Sequence, residues 1–318
     1  MLSTEMKLLT GNAHREFADK VAKYLDTPLT PATVSSFPNG ETSVQIHENI
    51  RGQEIFIIQP TCPPTNQNLM ELMILVDAAK RASASHITAV LPFFGYARQD
   101  RKDKPRVPIT SKLVANLLTS AGIDRLLTLD LHAPQIGGFF DIPVDHLHAA
   151  PTLVKHLREQ DLDTSNLVVV SPDVGGSKMA RTYSEILGTS MAIVAKHRVS
   201  ATQVEAEHVI GDVNGKDVFI VDDMTESAGT LIAAAKAVKA HGAQRVFAGV
   251  THALIHDLGK ERLEFSEIDK LICTDSTPLA QGPKVEVVSI APLIAESIKR
   301  IHHGESVSSL FDIDGKKV

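Results

Sequence analysis

The amino-acid sequence predicts an α/β protein built from two successive domains, each a mainly parallel sheet flanked by helices. Short apolar runs, of the kind that form fully buried strands, alternate with amphipathic helical stretches along the chain. This alternation is typical of strand–helix–strand units, which form parallel sheets. It is interrupted near residues 142–151, so we expect one domain at residues 1–149 and a second at residues 150–303. With 318 residues, the chain is long enough for both.

The first domain is predicted from its apolar strands and from two helices. Strands are expected at residues 55–58, 87–91 and 126–130, and helices at about residues 66–81 and 109–121. Asn66 is the expected N-cap of the first helix. The Phe-Pro-Asn-Gly-Glu segment at residues 37–41 links two short strands and predicts a hairpin turn.

Two loops of this domain also have a functional interpretation. At the turn, Phe37 can stack on a base while Asn39 and Glu41 contact its edge, although the turn by itself explains the pattern. The charge-dense residues 96–106 are typical of a solvated loop, yet Arg98 and Gln99 within it can act as a lid over a nucleotide.

The second domain contains the most informative segment of the chain. Its strands are expected at residues 167–170, 191–195, 218–221, 245–250, 271–273 and 285–288. The strand at residues 218–221 ends in Asp222 and Asp223, and a loop of small residues then leads into a helix at residues 231–238. A helix N-terminus binds phosphate through its backbone N–H groups and its dipole. The two carboxylates can accept hydrogen bonds from vicinal ribose hydroxyls, so this segment predicts a site for a phosphorylated sugar.

Each residue of that loop has an expected part. Gly229 lets the backbone approach the ligand, and Ser227 and Thr230 can add hydroxyl donors. An alternative is a plain strand–loop–helix crossover with solvated acids. The position of the acids at the carboxyl end of a strand favours the ligand site, because open α/β sheets bind ligands there.

Two further strand ends carry groups suited to a metal ion. His132 follows the strand at residues 126–130, and Asp173, with Gly175 and Gly176, follows the strand at residues 167–170. One imidazole and one carboxylate suit Mg²⁺ that is otherwise held by water and phosphate oxygens, and the two glycines can wrap a diphosphate. The alternatives are a hydrogen-bonded loop histidine and a tight turn before a helix.

Lys196 and Arg198 follow the apolar strand at residues 191–195. Side chains at i and i+2 of an extended segment point the same way, so both cations can reach one transferring phosphoryl group. A solvated strand end is the commoner explanation for a single pair of this kind.

Composition and missing motifs exclude several classes of protein. A net charge of -6 and an isoelectric point near 6.2 argue against a nucleic-acid-binding surface. No apolar run approaches the ~18 residues of a membrane span, and the N-terminal segment lacks signal-peptide features. The two cysteines, Cys62 and Cys273, have no metal-type spacing. We therefore expect a cytoplasmic protein whose nucleotide site is neither a P-loop nor a G-x-G-x-x-G loop. The histidines at positions 146, 148, 302 and 303 are interpreted as surface or structural residues.

The sequence resembles the ribose-phosphate pyrophosphokinases, also called PRPP synthetases. Five segments match in order, at residues 37–41, 96–100, 130–133, 171–176 and 221–224, and the similarity extends from Phe37 to Ser308. The resemblance implies two phosphoribosyltransferase-like domains, with the tail at residues 304–318 packing back on the first. It also implies transfer of the diphosphoryl group of MgATP to the C1 hydroxyl of ribose 5-phosphate, which yields PRPP and AMP.

The resemblance also implies a role for each candidate residue. It implies ATP contacts from Phe37, Asn39, Glu41, Arg98, Gln99 and Asp100. It implies Mg²⁺ at His132 and Asp173, a diphosphate loop at Asp173, Gly175 and Gly176, and transition-state stabilisation by the catalytic residues Lys196 and Arg198. It implies ribose-5-phosphate contacts from Asp222, Asp223, Glu226, Ser227, Ala228, Gly229 and Thr230. Dimers that assemble into hexamers, and regulation by phosphate and ADP, follow from the same resemblance.

The chain departs from the family pattern at several positions. Glu226 and Ser227 stand where the family usually has Asp-Thr, and Met179, Gly137 and Asn49 replace a usual arginine, glutamine and serine. Two alternative functions therefore stay open at this point. One is a phosphoribosyltransferase that joins a base to PRPP, and the other is a catalytically silent subunit that regulates active homologues.

Overall fold

The computed structural model describes residues 5–159, 164–197, 206–279, 282–313 and 316–317. The chain divides into two compact units. The first consists of Met1–His148, Ser276–Pro278 and Ile290–Leu310, and the second of Ala149–Asp275, Leu279–Ser289 and Phe311–Val318. The division at His148 lies within residues 142–151, where the sequence predicts the domain boundary. Ile290–Leu310 groups with the first unit, whereas residues 150–303 were expected together, and the domain limits therefore stay a prediction.

The first unit is organised around a five-stranded parallel sheet. The strands of the unit as a whole are β1 (Met6–Thr10), β2 (Ala32–Ser36), β3 (Thr42–Ile46), β4 (Glu54–Ile58), β5 (His86–Leu91), β6 (Arg125–Leu129) and β7 (Val144–Leu147). Its first three helices are α1 (Arg15–Leu25), α2 (Thr65–Arg81) and α3 (Thr110–Ala121). The sheet has the order β1-β4-β5-β6-β7, and β2 and β3 pair separately as an antiparallel hairpin. All neighbours in the large sheet are parallel, so their carboxyl ends meet at one edge.

Burial explains why the apolar runs of this unit form strands. The central strands β4 and β5 are buried along almost their whole length, since only the first residue of each is partly exposed. Leu72 and Leu75 of α2 and Val114 and Leu118 of α3 belong to the same core cluster as the strand residues. The helices therefore cover the sheet with their apolar sides, as the sequence pattern predicts.

Two local predictions for the first unit are wrong. Asn66 is not the N-cap of α2, because the helix begins at Thr65 and Pro64 occupies the cap position. The Asn66 side chain instead accepts a hydrogen bond from the Tyr96 hydroxyl. The supposed break in the alternation contains β7, whose sequence Val-Asp-His-Leu is too polar to read as a buried strand.

The second unit is organised around a seven-stranded sheet. Its elements are α4 (Ala150–Glu159), β8 (Leu167–Ser171), α5 (Ser177–Leu187), β9 (Ser190–His197), β10 (Ala206–Ile210), β11 (Asp217–Thr225), α6 (Gly229–Ala240), β12 (Val246–Ala253), α7 (Asp257–Glu264), β13 (Lys270–Thr274) and β14 (Val285–Val288). The order is β10-β9-β8-β11-β12-β13-β14, with the edge strand β10 antiparallel and the other neighbours parallel. A parallel α/β sheet in each unit confirms the predicted fold class.

The central strand β11 is longer than the sequence predicts. It continues past Val221 to Thr225, and Asp222, Met224 and Thr225 still pair with β12. On its other side, the pairing with β8 ends at Ile220, opposite Val170. The two acids therefore lie in the strand itself, at a point where the strand has lost one of its two neighbours. That position explains why polar residues are accommodated there.

The C-terminal segment consists of α8 (Ala291–His303) and two short antiparallel strands, β15 (Asp312–Ile313) and β16 (Lys316–Lys317). Helix α8 packs against α1 in the first unit. His302 of α8 forms a hydrogen bond of 2.6 Å, Nδ1 to Oε2, with Glu54 at the start of β4. Within the described part of the chain, no helix is long and apolar enough to cross a membrane.

Candidate active site

Three carboxylates cluster at the carboxyl ends of β8 and β11 in the second unit. Asp223 is buried and Asp222 half-buried, and the Asp223 backbone N–H donates to Asp222 Oδ1 at 3.0 Å. Burial raises the pKa of Asp222 to about 7, and the nearby carboxylates of Asp223 and Asp173 add to the shift. The parallel sheet thus brings Asp173 into the electrostatic reach of the acidic pair, although about fifty residues separate them in sequence. Crowded acids of this kind favour hydroxyl donors or a cation as ligands.

The loop that follows β11 leads directly into α6. Ala228 occupies the N-cap position with a left-handed backbone, φ +56°, and its carbonyl accepts the Ile232 N–H at 2.9 Å. Gly229 and Thr230, the first two helical residues, are exposed. A left-handed conformation is uncommon for a residue other than glycine and is frequent at ligand-binding turns. The exposed N-terminus of α6 therefore has the form of an anion-binding site.

Helix α7 packs closely against this loop at Gly259. A Cβ atom added at Gly259 would lie 3.0 Å from the Glu226 carbonyl oxygen and 2.7 Å from Cγ2 of Ile255. The Leu254 N–H also donates to the Thr225 carbonyl at 2.8 Å. The absent side chain at Gly259 thus permits a close approach between α7 and the loop. Local sequence gives no signal for this residue, because its role depends on a contact between distant segments.

The loop after β8 is a hydrogen-bonded turn. The Gly176 N–H donates to Asp173 Oδ1 at 2.9 Å, and the Ser171 hydroxyl donates to the Asp173 carbonyl at 2.6 Å. A Cβ atom at Gly176 would lie 2.9 Å from Ser171 Oγ, so the turn needs glycine there. Asp173 and Gly175 are exposed. The turn interpretation is therefore correct, and it leaves the carboxylate at the protein surface, where it can also bind a ligand.

The catalytic candidates Lys196 and Arg198 are only partly covered by the structure. Lys196 is the second-to-last residue of β9 and pairs with Glu207 of β10. The sequence predicts that it follows the strand, so the strand is longer than expected. Arg198 lies outside the described residues.

Met179, which stands where the family usually has an arginine, lies on α5 close to the charged residue Arg181. Met179 is half-buried on α5. Arg181 is exposed, and its Nε donates to Glu185 at 2.7 Å, one helical turn along. Arg181 is therefore occupied by a local ion pair on the helix surface.

In the first unit, His132 is exposed two residues after a distorted strand end. Asp130 has φ +34° and is only 8% exposed, and its N–H donates to the Leu147 carbonyl at 3.0 Å. The Leu131 N–H donates to Nε2 of His146 at 2.9 Å. Both backbone N–H groups donate to residues of the neighbouring strand β7, and these two hydrogen bonds fix the residues that follow β6.

Asp130, His146 and His148 form a cluster that the sequence analysis missed. One oxygen of Asp130 and one ring nitrogen of each histidine lie within 4.8 Å of one another. Both histidines are partly buried and hydrogen-bonded. Their interpretation as surface or structural residues stays a prediction. The i, i+2 spacing of the two histidines, one on β7 and one directly after it, was the available signal, because side chains two positions apart in an extended segment point to the same side.

The hairpin between β2 and β3 carries the candidates Phe37, Asn39 and Glu41. The Phe37 N–H donates to the Glu41 carbonyl and the Gly40 N–H to the Phe37 carbonyl, both at 2.8 Å. Asn39 Oδ1 accepts the Glu41 N–H at 3.2 Å. This confirms the predicted turn. Phe37 is 54% exposed, which leaves its aromatic ring available for stacking.

The segment that carries Arg98, Gln99 and Asp100 is fixed in part by hydrogen bonds. The Gln99 carbonyl accepts the Ser111 hydroxyl at 2.9 Å, and its side chain accepts the Thr110 hydroxyl at the start of α3. Asp100 Oδ2 accepts the Gln135 side-chain N–H at 2.8 Å. Arg98 and Gln99 are exposed. The start of this segment is therefore anchored to α3 and is not simply a solvated loop.

These features define a class of protein: an α/β protein with two units, each built on a mainly parallel sheet, and with an acidic strand followed by a short loop and a helix in the second. Comparison with known proteins then identifies the family. A family model described as the N-terminal domain of ribose phosphate pyrophosphokinase matches residues 6–122, and one described as the phosphoribosyl synthetase-associated domain matches residues 198–312.

Individual relatives match over almost the whole chain. The ribose-phosphate pyrophosphokinase of Chlorobaculum tepidum is 53% identical, over 98% of this chain and 96% of its own. That of Wolinella succinogenes is 50% identical, over 96% of this chain and 98% of its own. The phosphoribosylpyrophosphate synthetase from Mycobacterium smegmatis is 40% identical in sequence, and its crystal structure superposes with a TM-score of 0.90. The match covers 95% of this chain and 100% of that chain. The chain belongs to the ribose-phosphate pyrophosphokinase family, which confirms the resemblance found in its sequence.

Proposed function

We propose that this protein transfers the diphosphoryl group of ATP to the C1 hydroxyl of ribose 5-phosphate. The products are 5-phosphoribosyl 1-diphosphate (PRPP) and AMP. The C1 oxygen attacks the β-phosphorus, the bond from that phosphorus to the α,β-bridging oxygen breaks, and the hydroxyl proton is released. The observation that carries the proposal is the acidic end of β11, which runs directly into the exposed N-terminus of α6. Membership of the ribose-phosphate pyrophosphokinase family supports the same reaction.

The ribose 5-phosphate is proposed to bind at this strand end. Asp222 and Asp223 accept hydrogen bonds from the ribose hydroxyls, and the 5-phosphate binds at the loop and the first turn of α6. The loop residues are Glu226, Ser227, Ala228, Gly229 and Thr230. The left-handed backbone of Ala228 and the exposed first residues of α6 support this assignment, because a helix N-terminus presents backbone N–H groups to an anion.

The ATP is proposed to contact the first unit. The exposed Phe37 ring stacks on the adenine, with Asn39 and Glu41 beside it on the same hairpin. Arg98, Gln99 and Asp100 contribute polar and charged groups from the carboxyl end of β5. The anchoring of Gln99 to α3 supports this assignment, because it fixes the backbone around Arg98 and so limits the entropy lost on binding.

A divalent cation, Mg²⁺, is proposed at His132 and Asp173. The donor set fits a hard cation that keeps water and phosphate oxygens as its other ligands. The raised pKa of Asp222, caused by burial and then by the neighbouring carboxylates, is a second indication, because a nearby cation would relieve that crowding. When bound, Mg²⁺ neutralises charge on the phosphates during transfer. Gly175 and Gly176 allow the backbone beside Asp173 to approach a diphosphate.

Lys196 and Arg198 are proposed to stabilise the charge that develops on the transferring group. Phosphoryl transfer needs positioning and electrostatic stabilisation more than covalent catalysis, and cations near the equatorial oxygens provide the latter. The i, i+2 spacing of the two residues supports a shared orientation, because side chains two positions apart in an extended segment point the same way.

The wider context of the activity is also a proposal. We infer a cytoplasmic homo-oligomer, built of dimers that assemble into a hexamer, whose activity responds to inorganic phosphate and ADP. Each point rests on family resemblance. The expected domains, residues 1–149 with the tail at 304–318 and residues 150–303, rest on the same ground.

One assay tests the proposed function against its alternatives. Purified protein is incubated with MgATP and ribose 5-phosphate, with and without inorganic phosphate, and AMP is measured by a coupled reaction. AMP formation that requires ribose 5-phosphate supports the proposal. Formation of a nucleotide from PRPP and a free base, without AMP formation from ATP, would instead identify a phosphoribosyltransferase. A folded protein inactive in both reactions would identify a silent regulatory subunit.

A further inference from the structure

We propose that Asp130, His146 and His148 form a binding site for a transition-metal ion of the Zn²⁺ or Co²⁺ type. This site lies in the first unit and differs in its ligands from the proposed Mg²⁺ site at His132 and Asp173. One ligand atom from each of the three side chains lies within 4.8 Å of the others. Two imidazoles and one carboxylate are a donor set that suits Zn²⁺, Co²⁺ or Ni²⁺, whereas Mg²⁺ prefers oxygen ligands.

The spacing of the ligand atoms fits a shared ion. Asp130 Oδ1 and His148 Nδ1 are 3.0 Å apart. Two atoms that each lie about 2.1 Å from one Zn²⁺ ion are separated by roughly 3 to 3.5 Å, so this pair needs little movement. The rings of His146 and His148 have their centroids 4.7 Å apart, which keeps the second imidazole within reach.

The backbone around the three residues holds them in place. His146 lies on β7 opposite Thr128 of β6, and the Asp130 N–H donates to the carbonyl of Leu147, between the two histidines. Asp130 is 8% exposed and both histidines are partly buried, so the protein shields much of the site from water. His146 lies on β7, and Asp130 and His148 directly follow the ends of β6 and β7, so the two paired strands fix the backbone beside each ligand.

Metal binding would replace hydrogen bonds that the protein makes without the ion. His146 Nε2 accepts the Leu131 N–H at 2.9 Å, so this nitrogen already carries the lone pair that a metal ligand needs. His148 shares a hydrogen bond with Asp130. An ion that draws His146 towards Asp130 withdraws it from the Leu131 N–H. Because Leu131 directly precedes His132, occupation of this site would also shift the proposed Mg²⁺ ligand.

Cobalt titration tests the site directly, without reference to catalysis. Co²⁺ is added to the full-length protein in the presence of excess Mg²⁺, and visible absorption is recorded. We expect one tightly bound ion per chain, with the intensified d–d bands of a site that has few ligands. A wild-type protein that shows no such bands at one equivalent of Co²⁺ would overturn the proposal.

Four variants locate the ion. His146→Asn and His148→Asn are each expected to weaken Co²⁺ binding by more than about tenfold, because each removes one of three protein ligands. His132→Asn is expected to retain the spectrum, as is His241→Asn in the second unit, whose Nδ1 pairs with the Ala237 carbonyl. Thermal unfolding checks that all four are folded. An unchanged spectrum in folded His148→Asn, or a spectrum lost in His132→Asn, contradicts the assignment.

The effect on His132 rests on the proposed function and has its own test. Zn²⁺ at low micromolar concentration is expected to lower Mg²⁺-supported AMP formation in the wild type and to have little effect on His148→Asn. Equal inhibition of both proteins would overturn the link between the two sites. Failure of the proposed function would appear differently, as an absence of AMP before any Zn²⁺ is added, while the Co²⁺ spectrum would be unaffected.

Discussion

Asp222 is a carboxylate in an unfavourable position. Burial, and then the charges of Asp223 and Asp173, raise its pKa to about 7. In the unfolded chain the pKa of an aspartate is about 3.9, so the folded state binds this proton more tightly. The free energy of unfolding therefore falls as the pH rises between these two values, because the folded state has to hold an ionised carboxylate among others.

The substitution Asp222→Asn should remove this dependence on pH. At about pH 8, where the wild-type side chain is ionised, we expect the variant to have the higher Tm. At about pH 5, where Asp222 is protonated in the folded state, the advantage should largely vanish. Differential scanning calorimetry of both proteins measures it, with the exposed Asp257→Asn as the control. A difference in Tm that does not change with pH would show that Asp222 is not crowded in this way.

Lys196 is the described half of the proposed cationic pair. Its substitution by alanine should lower kcat by roughly a hundredfold or more with smaller effects on KM, because a cation acting on developing charge is felt mainly in the transition state. Steady-state kinetics with ATP and ribose 5-phosphate measure the change. Lys216→Ala is a suitable control, because Lys216 lies just before the N-terminal end of β11 and forms an ion pair with Asp212. A folded Lys196→Ala with wild-type kcat would exclude the residue from the mechanism.

Glu226 is the departure from the family pattern that lies nearest to the proposed sugar site. Its side chain is exposed, so the extra methylene group has room in solvent. We therefore expect Glu226→Asp to change kcat/KM for ribose 5-phosphate by less than about tenfold, or about 1.4 kcal/mol. An inactive wild type that gains activity through this one substitution would indicate a silent subunit instead.

At the scale of elements, α7 determines how closely the loop after β11 can be packed. Gly259→Ala adds a methyl group 3.0 Å from the Glu226 carbonyl oxygen and 2.7 Å from Ile255. We expect KM for ribose 5-phosphate to rise several-fold while KM for ATP changes little, because overpacking by one methyl group typically costs about 1–3 kcal/mol and here displaces the loop. Gly282→Ala is the matched control, since a Cβ atom there meets nothing within 4 Å. Equal effects on both substrates would contradict this support of the loop by α7.

The sequence predicts those elements that are apolar throughout. The strands at Leu167–Ser171 and Lys270–Thr274 were found because burial on both faces requires continuous apolar side chains. The strand at Val144–Leu147 was missed because it is a partly exposed edge strand with two polar residues. The length of β11 was underestimated because its last residues pair on one side only, where aspartates are tolerated.

The site was predictable to the extent that it depends on local sequence. Asp222, Asp173 and His132 each follow an apolar run within a few residues, so their positions near the carboxyl ends of strands could be inferred. Their surroundings could not be inferred, because Gly259 and the cluster of Asp130, His146 and His148 depend on contacts across neighbouring strands and helices. The pKa of Asp222 belongs to the same group, because Asp173 reaches it only through the pairing of β8 with β11.

At the scale of the whole molecule, the proposed substrate contacts are divided between the two compact units. The residues assigned to ATP, from Phe37 to Asp100, belong to the first unit, and those assigned to ribose 5-phosphate, from Asp222 to Thr230, belong to the second. Such a division is expected of a transferase with two substrates, because each unit can position one of them. In the proposed reaction, the diphosphoryl group therefore moves as one piece from ATP to the sugar.

Tracking the β-phosphorus of ATP tests that claim most directly. ATP labelled with ³²P at the β position is incubated with ribose 5-phosphate, Mg²⁺ and the protein, and the products are separated. We expect unlabelled AMP and a labelled sugar product that carries the diphosphate at C1. Labelled ADP together with an unlabelled sugar bisphosphate would show transfer of the γ-phosphoryl group alone and would contradict the assignment.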